Sequence, residues 1–560
     1  MELNPLHVSG QSLVTLIAES WGTAAAQHLL LSMPQVQSQV VQLEWDTRNL
    51  GQLTQTSPVV RLFFARKGNR FNPAQHVAQL LDQGILVAID RDDMVSDSTS
   101  LNERNALLIG PYRGSTHELL QAAASQALID GVQAISTVAI TGTNGKTSTT
   151  SLTQQLLASV TGQKVARLGT LGFFDGSREH SHLFPTTPDF PTLCIFLNHI
   201  ARSGTKHLVM EASSHALAEG RLFDRKFAAA GMTNLTPDHL DFHGSMEAYW
   251  GAKQRLFLKH LGTKAPAVIA AAKTPWKDLA PQLQLGDHPL FLVWDTGSAG
   301  DPPQGRKAWE HISLITYEMT SSGASDSGIR VRLGHLNDGV GSSYSLHLPL
   351  IEGAFQAENF AVAMSLCHGL GVDWAELATH ATLLLPVAGR METVSVPGSH
   401  GRAPLVLVDY AHTPDAMSSL LTSVRAIAQA RGGRIFTVFG CGGDRDRTKR
   451  PIMGRIATEL SDVAIITSDN PRSEDPNAII ENIAAGAQPS RIWTAIVDRA
   501  KAIERAICES RSADIVVIAG KGHENYQIIG QEQRPFSDAG TARKVLLKLF
   551  PDLESDRGPA

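Results

Sequence analysis

The sequence predicts an α/β protein of several domains, and three observations carry the prediction. An apolar, β-branched run, Val138-Ala139-Ile140, leads into the glycine-rich stretch Thr141 to Ser148, TGTNGKTS, which opens a helical pattern through Leu157. From about residue 131 to 385, strands, glycine turns and helices alternate. A second such series begins near Arg390. Alternation of this kind implies parallel sheets with helices on both faces and ligands at the carboxyl ends of the strands. With 560 residues, the chain has length for roughly three or four domains, each able to bury its own core.

Taken in order, residues 1 to about 130 hold mixed short elements: strands at Val40 to Trp45, Val59 to Phe64 and Ile85 to Ile89, and a helix around Ala74 to Gln83. None announces chemistry by itself. The central series has strands at Thr137 to Ile140, Leu208 to Glu211 and Ala228 to Met232. Gly297 to Ser343 is rich in Gly, Ser and Asp and predicts irregular surface structure around a strand at Ile329 to Leu333. The last series places strands at Leu405 to Val408, Ile435 to Phe439, Val463 to Thr467 and Ile515 to Ala519. Helices near Ala416 to Gln429, Pro451 to Leu460, Pro476 to Ala485 and Ala500 to Ser510 alternate with them.

Composition narrows the class. Lys plus Arg is 49 and Asp plus Glu is 54, a net charge of -5 that argues against a general nucleic-acid binder. The four cysteines, Cys194, Cys367, Cys441 and Cys508, form no C-x-x-C pair, which speaks against a zinc ribbon or disulfide framework and for a reducing compartment. No stretch approaches the roughly 18 apolar residues of a membrane span, and the N-terminus lacks a signal-peptide pattern, so a cytoplasmic protein without membrane insertion is expected.

The stretch TGTNGKTS reads as a phosphate-binding loop. Gly142 and Gly145 would let backbone N–H groups approach phosphate oxygens, Lys146 supplies a cation, and Thr147 offers a hydroxyl to magnesium at a helix N-terminus. Ile140 stands where the general G-x-x-x-x-G-K-[ST] pattern has its first glycine. The competing reading is a glycine-rich strand-to-helix turn with an exposed lysine. Glu211, just past a buried strand, is placed to hold magnesium, or else is an acid near a helix N-terminus beside Ser213 and Ser214. Asp238, His239, Asp241 and His243 offer four oxygen and imidazole donors in six residues, a set that suits several divalent metals. Four loops in the last series follow strands and should converge on one rim: Asp409 to Asp415, Gly440 to Arg450, Asp469 to Arg472 and Gly520 to Glu524. Arg445 and Arg472 could clamp carboxylates there, and Asp469 and Glu524 could receive an ammonium group. Taken singly, each loop could be an ordinary turn with a surface ion pair.

Together these motifs resemble a known family. TGTNGKTS, the Thr-Thr-Pro of Thr186 to Pro188, MEASSHAL, TNLTPDHLDFHG, Ala252-Lys253, Gly389 to Glu392, DYAHTPDA, GCGGDRDRTKRP, SDNPR and GKGHE occur in the order seen in Mur ligases, most like the members that add meso-diaminopimelate. The resemblance covers residues from about 137 to 545. It implies three domains: an N-terminal one for the UDP end of a substrate, 1–130; a central P-loop ATPase domain, 131–385; and a C-terminal, Rossmann-like domain for the incoming amino acid, 386–560. By this likeness ATP would lie on Gly142, Thr143, Asn144, Gly145, Lys146, Thr147 and Ser148, and would also meet Asn359, Arg390, Asp409 and His412. Thr147 and Glu211 would hold one magnesium and His239 a second. Lys253 matches a lysine that the family carbamylates, which would make it an anionic oxygen ligand; Lys146, His239 and Lys253 would be the catalytic residues. Trp45, Thr47, Thr186, Thr187, Ser213, Glu219 and Arg221 would contact the UDP-N-acetylmuramoyl dipeptide. Arg445, Asp469, Asn470, Pro471, Arg472, Gly520 and Glu524 would form the diaminopimelate pocket. The implied reaction is the synthesis of a peptidoglycan precursor by a monomeric ligase through an acyl phosphate.

The chain also departs from the family pattern. Trp45-Asp46-Thr47-Arg48 stands where the family has an apolar residue followed by Asp-Ser-Arg, and Gly68 to Pro73 matches its UDP-sugar loop poorly. Pro185, Glu219 and Gln356 replace Asn, Gln and Asn. Two other readings therefore stand beside the first: a related ligase with another amino acid or acceptor, and a catalytically silent nucleotide-binding protein. Intact Lys146, Glu211, His239 and Lys253 oppose the last.

Overall fold

The structure, a computed structural model, describes residues 115–180, 185–296, 312–322, 329–337, 340–348, 355–397 and 401–551. In the N-terminal part it describes 6–21, 25–27, 29, 36, 40–44, 60–65, 77, 80–81, 85–90 and 107–110. Two compact units result. The first comprises Met1–Ser136, Phe174–Leu208 and Ala216–Arg225; the second comprises Thr137–Phe173, Val209–His215 and Lys226–Ala560.

The first unit contains a five-stranded sheet in the order His7–Ser9, Val40–Glu44, Val60–Ala65, Leu86–Asp90, Leu107–Gly110. The first pair is antiparallel and the rest parallel. These strands correspond to the apolar runs expected near residues 40, 59 and 85; most of the helix expected at Ala74 to Gln83 lies outside the described residues. Buried Asp90 begins the helix Ser115–Gln126: one carboxylate oxygen accepts from the Thr116 N–H at 2.7 Å and from the Ser115 and Thr116 hydroxyls at 2.8 and 2.7 Å.

In the second unit, a parallel sheet is built from Ser136–Thr141, Ala229–Met232, Ala267–Ala270, Leu290–Asp295 and Ile312–Ser322. His207–Glu211 and Val165–Gly169 follow on the other side of Ser136–Thr141. The helices Lys146–Thr161 and Phe355–Gly369 cover one face, burying Leu152, Leu156, Phe360 and Met364 with Ile140 and Val268. The strand expected at Ile329 to Leu333 is present as Ile329–Asn337, and the irregular structure expected around it needs correcting where residues are described. Ile312–Ser322, Ile329–Asn337 and Val340–Leu348 form an antiparallel ribbon that extends the sheet. Alternating apolar residues such as Tyr344, Leu346 and Leu348 favour strands, and the intervening Gly and Ser residues hid that period.

The second α/β series also lies in this unit. Its sheet runs Glu392–Val394, Leu405–Asp409, Ile515–Ala519, Ile435–Phe439, Val463–Thr467, Ile492–Ile496, parallel except for the first pair. The expected helices are found at Pro414–Arg431, Lys449–Leu460, Pro476–Ala484 and Arg499–Glu509. No helix of the described residues is long and apolar enough to cross a membrane.

Candidate functional site

Strand Ser136–Thr141 delivers the chain to Gly142, whose φ of 150° few side chains tolerate, and Gly145, at φ 82°, starts the helix Lys146–Thr161. A Cβ on Gly145 would strike the Asn359 side chain, so glycine permits the close approach of the helix that carries Asn359. The Lys146 side chain folds back over the loop, its Nζ donating to the carbonyls of Gly142 and Thr143 at 2.9 Å each. Lys253, on the helix Met246–Leu258, is 1 % exposed and donates to the same Gly142 oxygen at 2.8 Å. Burial depresses both ammonium groups; for Lys253 the neighbouring Lys146 adds to the effect and holds it well below the ordinary lysine value.

Around the loop, Glu211 is buried and accepts from the Thr170 N–H and hydroxyl at 2.8 and 3.1 Å. Arg390 donates to the Thr147 hydroxyl at 3.0 Å and lies 4.5 Å from the Tyr410 ring centre. Asp409 accepts from the N–H groups of Met391 and Ala411, each at 2.8 Å, which fixes the strand end below Tyr410. Burial pushes the Asp409 carboxyl up, opposed by Arg390. A cavity of about 290 Å³ gathers Asn144, Gly145, Ser148, Asn359, Arg390, Asp409 and His412, all anticipated, along one wall or another.

A second cavity, of about 1020 Å³, brings together Arg445, Asp469, Asn470, Arg472, Gly520 and Glu524 with Asp238 and His239. Tyr410 and His412 line both cavities, so the two share a wall. Arg472 takes a left-handed backbone, φ 52°, and its Nη1 donates to the Gly443 carbonyl at 2.8 Å. Asn470 donates to Glu524 at 2.9 Å. Pro471, between them, is buried.

The dense donor group of Asp238 to His243 is divided. His239, in a left-handed conformation, faces Asp238 at 3.4 Å, whereas His243 pairs with the Ser214 hydroxyl at 3.0 Å. Among the described residues no three of these four bring their donor atoms within 4.8 Å of one another. Burial lowers the His239 pKa, which keeps its imidazole neutral and able to ligate, against the pull of Asp238.

Of the residues expected at the UDP end, Trp45 and Thr47 lie outside the described residues. In the first unit, Arg221 donates to the Thr187 carbonyl at 3.1 Å and pairs with Glu219 at 2.7 Å; Thr187 is buried and Thr186 half-buried beside it in the chain. Ser213 belongs to the second unit and is half-buried.

Sequence reasoning missed several residues. Asp415 accepts from Asn144 at 3.0 Å and Thr236 at 3.1 Å, tying the loop to the second α/β series; its place in DYAHTPDA was the available signal. Lys521, fully buried, donates to Asp469, Asn470 and Glu524 at 3.4, 3.1 and 3.0 Å and neutralises the acids of the larger cavity from below. Buried Arg499 forms a two-pronged pair with Asp538 at 2.7 and 2.8 Å and donates to Ser468 and Ala519, bracing two strand ends that carry cavity residues. Lys521 stands within GKGHE, whose pattern marked the loop but not the burial of this lysine; no local pattern announced Arg499.

Comparison with known proteins identifies the family. Residues 140–367 match the family described as Mur ligase middle domain, and 389–522 that described as Mur ligase, glutamate ligase domain. The chain is 40% identical over 421 residues, 74% of its length and 77% of the relative's, to a UDP-N-acetylmuramoyl-L-alanyl-D-glutamate--2,6-diaminopimelate ligase of Chromobacterium violaceum. It is 37% identical to an enzyme of the same name from Agrobacterium fabrum, over 87% of this chain and 91% of that one. A solved structure of a ligase with that name superposes with a TM-score of 0.56 at 30% identity, covering 90% of this chain and 94% of the other. MurF from Acinetobacter baumannii shares the fold, with a TM-score of 0.54 at 17% identity over 88% of this chain and 95% of that one.

Proposed function

Because the chain belongs to the Mur ligase family, we propose that it is an ATP-dependent ligase joining meso-diaminopimelate to the D-glutamyl γ-carboxylate of UDP-N-acetylmuramoyl-L-Ala-D-Glu, with domains at 1–130, 131–385 and 386–560. The wall of Tyr410 and His412 common to the two cavities carries the proposal. It sets a phosphate-type loop beside a pocket with an arginine able to read a carboxylate. Phosphate release should require ATP, the UDP-muramyl dipeptide and meso-diaminopimelate together; release without the amino acid, or none with all three, would reject the proposal.

In this reading the γ-carboxylate of the dipeptide attacks the γ-phosphorus of ATP, the bond to the bridging oxygen breaks, and ADP leaves an acyl phosphate. The amine of diaminopimelate then adds to the acyl carbon. The tetrahedral adduct expels inorganic phosphate and, with loss of the amine proton, gives the amide. Lys146, held at the loop by two carbonyls, offsets the charge shared by carboxylate and triphosphate. The two adjoining cavities hold nucleotide and amine in reach of one another, which is chiefly a proximity effect. At the far end of diaminopimelate, Arg472 would take the second carboxylate that lysine lacks.

The oxygen donors suit magnesium. Thr147 and Glu211 would hold one ion through hydroxyl and carboxylate oxygens, and His239 would meet a second; bound ions would neutralise phosphate charge. Lys253 fits the same set only after modification. Its buried amine, whose basicity burial and Lys146 lower, can in its neutral form add to carbon dioxide and lose a proton, presenting an anionic oxygen where an ammonium would repel the ion.

A further inference from the structure

A separate cluster of side chains lies in the first unit, on a turn and helix that carry none of the residues assigned to the ligase site. Asp175 follows the strand Gly172–Phe174, His180 ends the strand Glu179–His180, and His199 lies on the helix Phe190–Arg202. The Nε2 atoms of His180 and His199 lie 2.7 and 3.4 Å from one oxygen of Asp175, Oδ2, and all three donor atoms fall within 4.8 Å of one another. We propose that Asp175, His180 and His199 bind a divalent ion of the zinc class, which staples the turn at Asp175 to the helix Phe190–Arg202.

Three features of the geometry support this. First, the spacing is close to that of a filled site: zinc bonds of about 2.0–2.2 Å to nitrogen and oxygen put tetrahedral donors roughly 3.3–3.5 Å apart. The His199 contact already has that length, and the His180 contact needs to open by only a fraction of an ångström. Second, the carboxylate is oriented in advance. Its other oxygen accepts from the N–H groups of Ser177 and Arg178 at 2.8 and 2.9 Å, and Thr205 donates to the Asp175 carbonyl at 3.2 Å. Such outer contacts fix a ligand's direction. Burial opposes ionisation of Asp175, but the His180 bond and the two N–H groups prevail and hold its carboxyl well below the usual range. Third, the side chains keep 8–22 % of their surface exposed, enough for an ion to enter and retain a water as fourth ligand. Two imidazoles and one carboxylate select zinc or cobalt over magnesium, which prefers an all-oxygen shell.

The alternative is a histidine–aspartate hydrogen-bond network that binds nothing, and cobalt(II) distinguishes the two. Titration of the full-length protein in excess magnesium should give the intense visible bands of tetrahedral cobalt, saturating at one equivalent and bleached by zinc. Asp175→Asn and His199→Gln should abolish the bands and the rise in melting temperature that zinc causes. Absence of bands in the unaltered protein, or bands that persist in folded variants, would overturn the proposal. Should the variants not fold, histidine modification read by mass spectrometry decides the matter on the unaltered chain. Zinc should shield His180 and His199 from diethyl pyrocarbonate, and equal labelling with and without zinc would overturn the site.

Discussion

Lys146 and Lys253 donate to a single acceptor: their Nζ atoms lie 2.9 and 2.8 Å from the carbonyl oxygen of Gly142. One carbonyl cannot comfortably hold two full ammonium charges in a buried setting, and Lys253, 1 % exposed, is the one that yields. The same glycine that frees the loop backbone thus brings a lysine side chain of low basicity beside the phosphate-type loop.

If Lys253 acts as a carbamate, Lys253→Ala removes an oxygen ligand as well as an amine. Phosphate release should fall at least a hundredfold, and short carboxylates such as acetate should restore part of it. Loss of activity with no rescue over a range of carboxylates would count against the carbamate.

The depressed Lys253 pKa also has a consequence for stability. Unfolded, the side chain takes up a proton near pH 10.4; folded, it does so at a lower pH. Between the two values the unfolded chain binds more protons, so this group makes stability rise with pH, and its penalty grows as pH falls through that window. In buffer free of carbon dioxide, its share of the slope should approach about 1.4 kcal/mol per pH unit. Urea unfolding at a series of pH values up to 10 should show a steeper rise for the unaltered protein than for Lys253→Met in the window below the unfolded pKa. Parallel lines would mean the amine is not depressed.

Arg472 makes a prediction about affinity. Its loss removes a charge-assisted contact worth about 1.5–3 kcal/mol, so Arg472→Ala should raise KM for diaminopimelate roughly ten- to a hundredfold with little change in KM for ATP. Steady-state kinetics with each substrate varied in turn gives the answer. Equal changes in both constants would remove Arg472 from the amino-acid pocket.

Deeper in the same lobe, Arg499 and Asp538 are wholly buried. Asp538→Ala leaves the guanidinium without its counter-ion and should cost roughly 3–5 kcal/mol, measured by urea unfolding. Replacing both partners, as in Arg499→Met with Asp538→Leu, should recover much of that loss. A single variant as stable as the parent would show that the pair does not brace the strand ends.

Which of these features the sequence disclosed follows from how local each one is. The loop Thr141 to Ser148 declares itself because strand, glycines, lysine and helix are consecutive, and the loops after the strands of the second series follow from strand ends alone. Lys521 was visible as part of GKGHE but its role was not, since that depends on burial and on Asp469 and Asn470 far off in sequence, and the Arg499–Asp538 pair stayed hidden for the same reason. Ile492–Ile496 was missed because this edge strand, Ile-Trp-Thr-Ala-Ile, is short and carries apolar residues on both faces, so it shows no alternation. Asp175 and His199, 24 residues apart, meet only once the helix Phe190–Arg202 has docked. Of the crowded donors from Asp238 to His243, Asp238, His239 and Asp241 line the larger cavity while His243 pairs with Ser214, a division that spacing along the chain does not encode.

The most direct measurement offers the protein ATP, the UDP-muramyl dipeptide and equal concentrations of meso-diaminopimelate and lysine, then identifies the tripeptide products by mass spectrometry. The account predicts a product containing diaminopimelate and almost none containing lysine. Comparable amounts of both, or no tripeptide at all, would contradict it.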